Sequence, residues 1–317
     1  MALKILIAVA VGLAVLTVVT LWRAARHEAR AEASHPPEGQ LLNVNGRQVH
    51  AVVMGEGPDL VLIHGSSGNT RDMTFSLAPK LAERYRVIVI DRPGLGYTER
   101  MSESGATLRQ QAELLADTAR KLGAKKPIVM GQSYGGAVAL AWAVYLPDRL
   151  SALVPLAAPS NPWTTPLDPF YQVTSSWWGK RFVVPLITAF VSDTRVARTI
   201  ESVFEPQEAP KGYADHFGPG LTLRRASLRA NAMHRANIKA EIIEMHTQYD
   251  RVNVPTEILH GSADTTVGLP IHSALLVDQI ESAVLTPLEG IGHMPQHVAQ
   301  DDVIAAIDRA AARAGLR

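Results

Sequence analysis

The 317-residue chain contains no cysteine. That excludes disulfides, zinc–thiolate centres and a cysteine nucleophile. It leaves the compartment open, because many secreted proteins also lack disulfides. Charge is sparse as well: 19% of residues are charged and the formal net charge is +1. No basic face of the kind that binds nucleic acid is signalled, so no nucleic-acid partner is expected. The chain has no internal repeat, and nothing in it calls for a cofactor or a metal. Its length suits one enzyme core carrying a sizeable insertion, and 47% apolar residues suffice for a large buried core.

One feature is present in excess. Ile5 to Trp22 is an uncharged run of 18 residues, interrupted only by Gly12, Thr17 and Thr20. As a helix it spans about 27 Å at 1.5 Å per residue, close to the hydrocarbon thickness of about 30 Å. Lys4 and Arg23 then reach the headgroups and Trp22 sits in the interface. A cleaved signal peptide is the rival reading. Its apolar region is shorter, and a small-residue cleavage site should follow closely. Here Arg23 and Arg26 crowd Ala24-Ala25, and Ala31-Glu32-Ala33 lies far downstream. Residues 1–23 are therefore read as a single-pass transmembrane anchor, with the lipid bilayer as partner through residues 5–22. Arg23, Arg26 and Arg30 after the span favour a cytoplasmic catalytic domain. The short tail before it leaves the orientation open. Residues 24–38, closed by Pro36-Pro37, read as a helical extension or linker.

From residue 39 onward strand and helix signals alternate. Asn45-Gly46 joins Leu41–Val44 to Gln48–Val53 as a hairpin. Leu60–Ile63, Val87–Ile90, Ile128–Met130 and Leu150–Leu156 read as buried strands. Phe75–Arg84, Leu108–Leu122 and Ala137–Leu146 read as helices. Such alternation implies a mostly parallel central sheet with helices on both faces. Residues 159–250 break the pattern. They hold no strand signal, and carry Trp163, Phe170, Tyr171, Trp177, Trp178 and Phe182 before a helical stretch from Leu223 to Tyr249. Strands resume at Thr256–His260 and Ala283–Leu288, and a last helix covers Val298–Ala314. The expected organisation is core (39–158), helical cap (159–250) and core again (251–317).

Gly131-Gln132-Ser133-Tyr134-Gly135-Gly136 carries the chemistry. A Gly-x-Ser-x-Gly pattern is weak alone, but here it follows a strand and opens a helix, the setting of a nucleophile elbow. Glycines at 131 and 135 remove Cβ atoms that a turn this sharp would crush, and Ser133 is left exposed at the strand end. A serine hydroxyl needs a base. Among eleven histidines, His293 is best placed, in a glycine-rich loop after the strand Ala283–Leu288; His297 is its nearest rival. Asp264, after the strand Thr256–His260, is the acid that orients it. The order Ser133, Asp264, His293 is the one this architecture uses. The other acid position, in Ala157–Pro166, offers no carboxylate. Two backbone N–H groups must hold the oxyanion. Tyr134 supplies one, and Ser66, with Ser67 as alternative, supplies the other from His64-Gly65-Ser66-Ser67-Gly68. His64 is read as bracing that loop.

From residue 39 the chain resembles the α/β-hydrolase fold. The resemblance rests on His64-Gly65, Asp91-Arg92-Pro93-Gly94-Leu95-Gly96, the elbow, Gly261-Ser262-Ala263-Asp264 and Gly292-His293. It is similar to the capped serine branch of meta-cleavage-product hydrolases, small esterases and cofactor-free haloperoxidases. Epoxide hydrolases and haloalkane dehalogenases require Asp at the nucleophile, which Ser133 is not. The resemblance implies a serine hydrolase acting on a small-molecule acyl substrate through an acyl-enzyme; the N-terminal span, which departs from most of these relatives, would anchor it to a membrane and favours an apolar substrate. C–C bond hydrolysis, perhydrolysis and a non-catalytic tethered binding protein are the alternatives. The cap aromatics are expected either to line an acyl pocket or to pack the cap core. Arg224, Arg225, Arg229 and Arg235 are expected as a solvated helix face.

Overall fold

The computed structural model describes residues 1–317. Eight strands form one sheet: β1 (Gln40–Val44), β2 (Arg47–Met54), β3 (Asp59–Ile63), β4 (Arg86–Ile90), β5 (Ile128–Gln132), β6 (Ala152–Leu156), β7 (Thr256–Gly261) and β8 (Ala283–Leu288). Their spatial order is β1-β2-β4-β3-β5-β6-β7-β8. β1, β2 and β4 pair antiparallel, and every later neighbour pair is parallel. Asn45 and Gly46 close the β1–β2 hairpin with φ of 52° and 81°, the two positive values that a tight two-residue loop needs.

Alternation in β3 shows how the core divides. Val61 and Ile63 face one core with Leu115 and Trp142, from the helices Leu108–Lys121 and Tyr134–Tyr145. Leu60 and Leu62 face the other with Met73, Leu77, Val303 and Ile307. This is the period-two signature of a sheet covered on both faces. One helix differs from expectation. The stretch read as Phe75–Arg84 is two short helices, Thr70–Thr74 and Leu77–Leu81. The first begins early because the Asn69 side chain caps it, accepting from Arg71 N.

Between β6 and β7 the chain is helical, from Pro169–Ser175 to the long helix Arg225–Met245 and the turn His246–Arg251. The N-terminal helix runs unbroken from Ala2 to Ser34, so the apolar run and the polar residues after it share one rod. Its polar end lies on the insertion. Arg23 Nε donates to Ala189 O and His27 Nε2 lies 3.3 Å from Gly220 O. Arg225 forks onto Glu28 with bonds of 2.8 and 2.6 Å, and Arg224 reaches Glu32 at 2.9 Å. The expected solvated arginine face is therefore not one. Arg224 and Arg225 bind the N-terminal helix. Arg229 is buried and donates to Thr174 O and Ser176 O, and Arg235 stacks over Tyr171.

The aromatic expectation also needs correction. Phe170, Trp177, Trp178 and Phe182 do not pack a core; all are exposed. Trp163 is half-buried, edge-on to His272.

Candidate active site

Sheet order positions the site. β3 pairs with β4 on one side and β5 on the other. The loops after β3 and β5 therefore emerge side by side where the order in which strands join the sheet reverses, the crevice in which open α/β sheets bind ligands. Ser133 ends β5 and heads the helix Tyr134–Tyr145, with φ 53° and ψ −122°. That region costs a non-glycine residue of order 1–3 kcal/mol and persists only where surroundings enforce it. Here Ser133 N donates to Leu156 O at 2.8 Å, and Ser133 O accepts from Gly136 N and Ala137 N. The glycines are required. A Cβ on Gly131 would lie 2.1 Å from Gly135 O, and one on Gly135 would lie 2.3 Å from Ile63 O.

His293 Nε2 lies 3.0 Å from Ser133 Oγ, and His293 Nδ1 lies 2.7 Å from Asp264 Oδ2. Asp264 Oδ1 accepts from Thr266 N at 2.8 Å and Val267 N at 2.9 Å. All three residues are buried, Ser133 included, where the elbow alone predicts an exposed side chain. Burial alone would raise the Asp264 pKa. Bonds to His260 and His293 outweigh it, with Val267 N–H adding to them, and hold the carboxyl well below its usual range. Asp264 is thus an anion beside the imidazole, fixing the proton on Nδ1 and leaving Nε2 to accept from Ser133. His297, the rival, is elsewhere. It bonds Asp72 Oδ1 at 2.9 Å, and Tyr213 OH donates to the same oxygen at 2.7 Å.

The loop after β3 lies against Ser133: a Cβ on Gly65 would be 3.2 Å from Ser133 Cβ. Ser67, with φ 55°, donates its N–H to Asn231 Oδ1 at 2.8 Å. The N–H groups of Ser66 and Tyr134 donate to no protein acceptor. Two free donors and one committed donor thus frame Ser133.

Several supporting residues were not foreseen. Asn231, on the long helix Arg225–Met245, also donates through Nδ2 to Ser67 Oγ at 2.9 Å. Arg92 is fully buried and bonds His64 O, Gly65 O and Gln111 Oε1, with its guanidinium 4.2 Å above the Tyr134 ring. His64, unlike these, is expected in the loop as a brace; its Nε2 accepts from Arg92 N, and its Nδ1 bonds Gly65 O. Burial, assisted by Arg92, pushes the His64 pKa down to about 4, so it is neutral. Gln132 Nε2 donates to His293 O at 3.0 Å, tying elbow to histidine loop. His260 lies 3.3 Å from Asp264 Oδ2 while its Nε2 bonds Val267 O at 2.7 Å. Arg92 stands in the quoted Asp91–Gly96 motif, which was a signal; Asn231 had none.

Residues 58–299 match the family described as alpha/beta hydrolase fold. Haloalkane dehalogenase 2 of Mycobacterium tuberculosis is 30% identical over 137 residues, 42% of this chain and 45% of that protein. The chain therefore matches under half the length of that relative. The 2-hydroxymuconate semialdehyde hydrolase of Pseudomonas putida is 25% identical over 270 residues, covering 84% of this chain and 91% of the relative. The crystal structure of a membrane phospholipase A, a bacterial virulence factor, has a TM-score of 0.65 at 19% identity. That likeness covers 98% of both chains, the N-terminal helix included.

Proposed function

The chain belongs to the α/β-hydrolase fold family, and from that premise we propose that it is a membrane-anchored serine hydrolase that cleaves carboxylic esters of apolar acyl groups. The observation that carries this reading is the hydrogen-bonded chain Ser133–His293–Asp264, at 3.0 and 2.7 Å. In the proposed reaction His293 Nε2 takes the Ser133 proton as Oγ attacks the acyl carbonyl. The Tyr134 and Ser66 N–H groups hold the oxyanion, aided by the helix N-terminus at the elbow. The imidazolium, stabilised by Asp264, returns its proton to the leaving alcohol. Water, deprotonated by the same histidine, then releases the acid and frees Ser133. Residues 159–250 act as the cap; Asn231 reaches the oxyanion loop, and Gln207 Oε1 accepts from Gly292 N beside His293.

Membrane anchoring through residues 5–22 is part of the proposal. Supporting it are the 33-residue helix Ala2–Ser34, with mean hydropathy 2.7 over its apolar window, and the full-length likeness to a structure titled a membrane phospholipase A. C–C bond hydrolysis is the second reading, favoured by the long match to a 2-hydroxymuconate semialdehyde hydrolase. An ester series of increasing acyl length, run beside a dienone acid on the purified full chain, decides. Turnover rising with acyl length, with the dienone acid untouched, is expected. Preferential cleavage of the dienone acid would overturn the ester reading.

A further inference from the structure

Trp178, Phe182, Leu186 and Phe190 recur at every fourth position along the helical stretch that covers Gly179–Val183 and Val184–Phe190. That spacing puts them on one face. All four are exposed, Phe182 at 58%, and the adjoining Trp177 is 76% exposed. The residues of this stretch that pack inward are others: Gly179, Val184, Pro185, Thr188 and Ala189. The largest apolar side chains are the ones left outside, and a continuous patch of that kind marks an interaction surface. Residues 169–191 contain no Asp or Glu; Arg181 is exposed within them, and so is Lys180, whose ammonium pairs with Glu103 from outside this stretch. Aromatic and aliphatic groups beside the Arg181 cation match the water–lipid boundary, where indole and phenyl rings settle and cations meet phosphates.

Continuity with the N-terminal helix identifies the occupant. Arg23 follows Trp22 at the end of the apolar run. It donates to Ala189 O and lies 4.8 Å over the Phe190 ring. One end of the stripe therefore touches the anchor where the anchor leaves the hydrocarbon. We infer that the Trp177–Phe190 face of the cap is a docking surface for the lipid bilayer, with its aromatic stripe in the headgroup–acyl boundary. The inference rests on the anchor reading above and deepens it. A cap seated on the leaflet holds Ser133, whose loops Asn231 and Gln207 touch, beside lipids that carry apolar esters.

The absence of native cysteine makes the test clean. Single-cysteine full-length variants Phe182→Cys, Leu13→Cys and Glu281→Cys are labelled with an environment-sensitive fluorophore. They are reconstituted in anionic vesicles containing lipids with a nitroxide at a shallow or a deep acyl position. Docking predicts a blue shift and quenching at Phe182→Cys, stronger from the shallow nitroxide. It predicts deep quenching at Leu13→Cys and none at Glu281→Cys. Quenching at Leu13→Cys with Phe182→Cys behaving like Glu281→Cys would overturn docking and leave the anchor standing. No quenching at either would remove the anchor and docking together. An oxidative cross-link between two Phe182→Cys chains, without lipid quenching, would assign the face to a second copy and also overturn the inference.

Discussion

Asp264→Asn is nearly isosteric, so it tests the role of charge and tautomer rather than packing. Oδ1 accepts two backbone N–H groups, from Thr266 and Val267 at 2.8 and 2.9 Å. An asparagine keeps its carbonyl there, because an amide N–H2 facing two donors satisfies neither. Its N–H2 then points at His293 Nδ1, now 2.7 Å from the carboxylate. That nitrogen must become the acceptor, and the ring proton moves to Nε2. A protonated Nε2 donates to Ser133 instead of accepting from it. Such a wrong tautomer lowers kcat by about 10⁴ in serine proteases, equivalent to about 5 kcal/mol at 1.36 kcal/mol per tenfold. The enzyme could instead flip the amide and leave two backbone N–H groups unmatched. At about 1–3 kcal/mol each, that route costs about 2–6 kcal/mol. Either way kcat should fall at least about thirtyfold, and as much as about 10⁴-fold, with KM little changed. Steady-state hydrolysis of a chromogenic ester reads the effect, and thermal unfolding confirms the fold. A folded variant within threefold of the unsubstituted enzyme would refute the reasoning.

Asn231→Ala leaves the half-buried Ser67 N–H without its 2.8 Å acceptor and frees the loop that carries Ser66. Loss of kcat by about fivefold or more is expected at nearly constant KM, from a cost of about 1–3 kcal/mol; an unchanged kcat contradicts it. Stability should depend on pH through His64. Its folded pKa is depressed from 6.5 to about 4 by burial and Arg92, so the folded protein binds fewer protons than the unfolded chain between those values. The contribution is fully present above pH 6.5 and is lost as pH falls toward 4, by about 3 kcal/mol in all. His272, also lowered to about 4 by burial, acts in the same direction; urea midpoints that stay flat from pH 6.5 to 4.5 would contradict both. Glu28 and Arg225 join the N-terminal helix to the cap through a two-pronged, partly exposed pair. A double-mutant cycle with Glu28→Gln and Arg225→Gln, read by thermal unfolding in detergent, should give a coupling of about 1 kcal/mol; zero coupling would mean the pair is ornamental.

What the sequence displays and what it hides follow from range. The elbow is legible because a turn this tight admits only glycine at 131 and 135, a local constraint written in adjacent residues. Asp264 and His293 are legible because each follows a strand signal, and strand ends converge at one edge of a parallel sheet. The Asn231–Ser67 bond spans 164 positions, and no spacing rule reaches that far. The cap aromatics mislead for another reason. Trp178 or Phe182 has the same residue type whether it fills a core, lines a pocket or faces lipid, and the four-residue spacing says only that a face exists. Residues 24–34 read by composition as either a helical extension or a linker; the helix runs on to Ser34, and Glu28 and Glu32 tie it to Arg225 and Arg224. His297 looks like a second candidate base until the fold gives it Asp72 and Tyr213.

The central claim is that Ser133 Oγ is a nucleophile activated by His293. An activated serine of this kind attacks the phosphorus of a fluorophosphonate probe and displaces fluoride, and peptide mapping of the labelled full-length protein reads the site directly. Stoichiometric modification of Ser133, lost in Ser133→Ala and strongly slowed in His293→Ala, is the predicted result. A folded, unmodified wild-type protein, or label retained in Ser133→Ala, would contradict it.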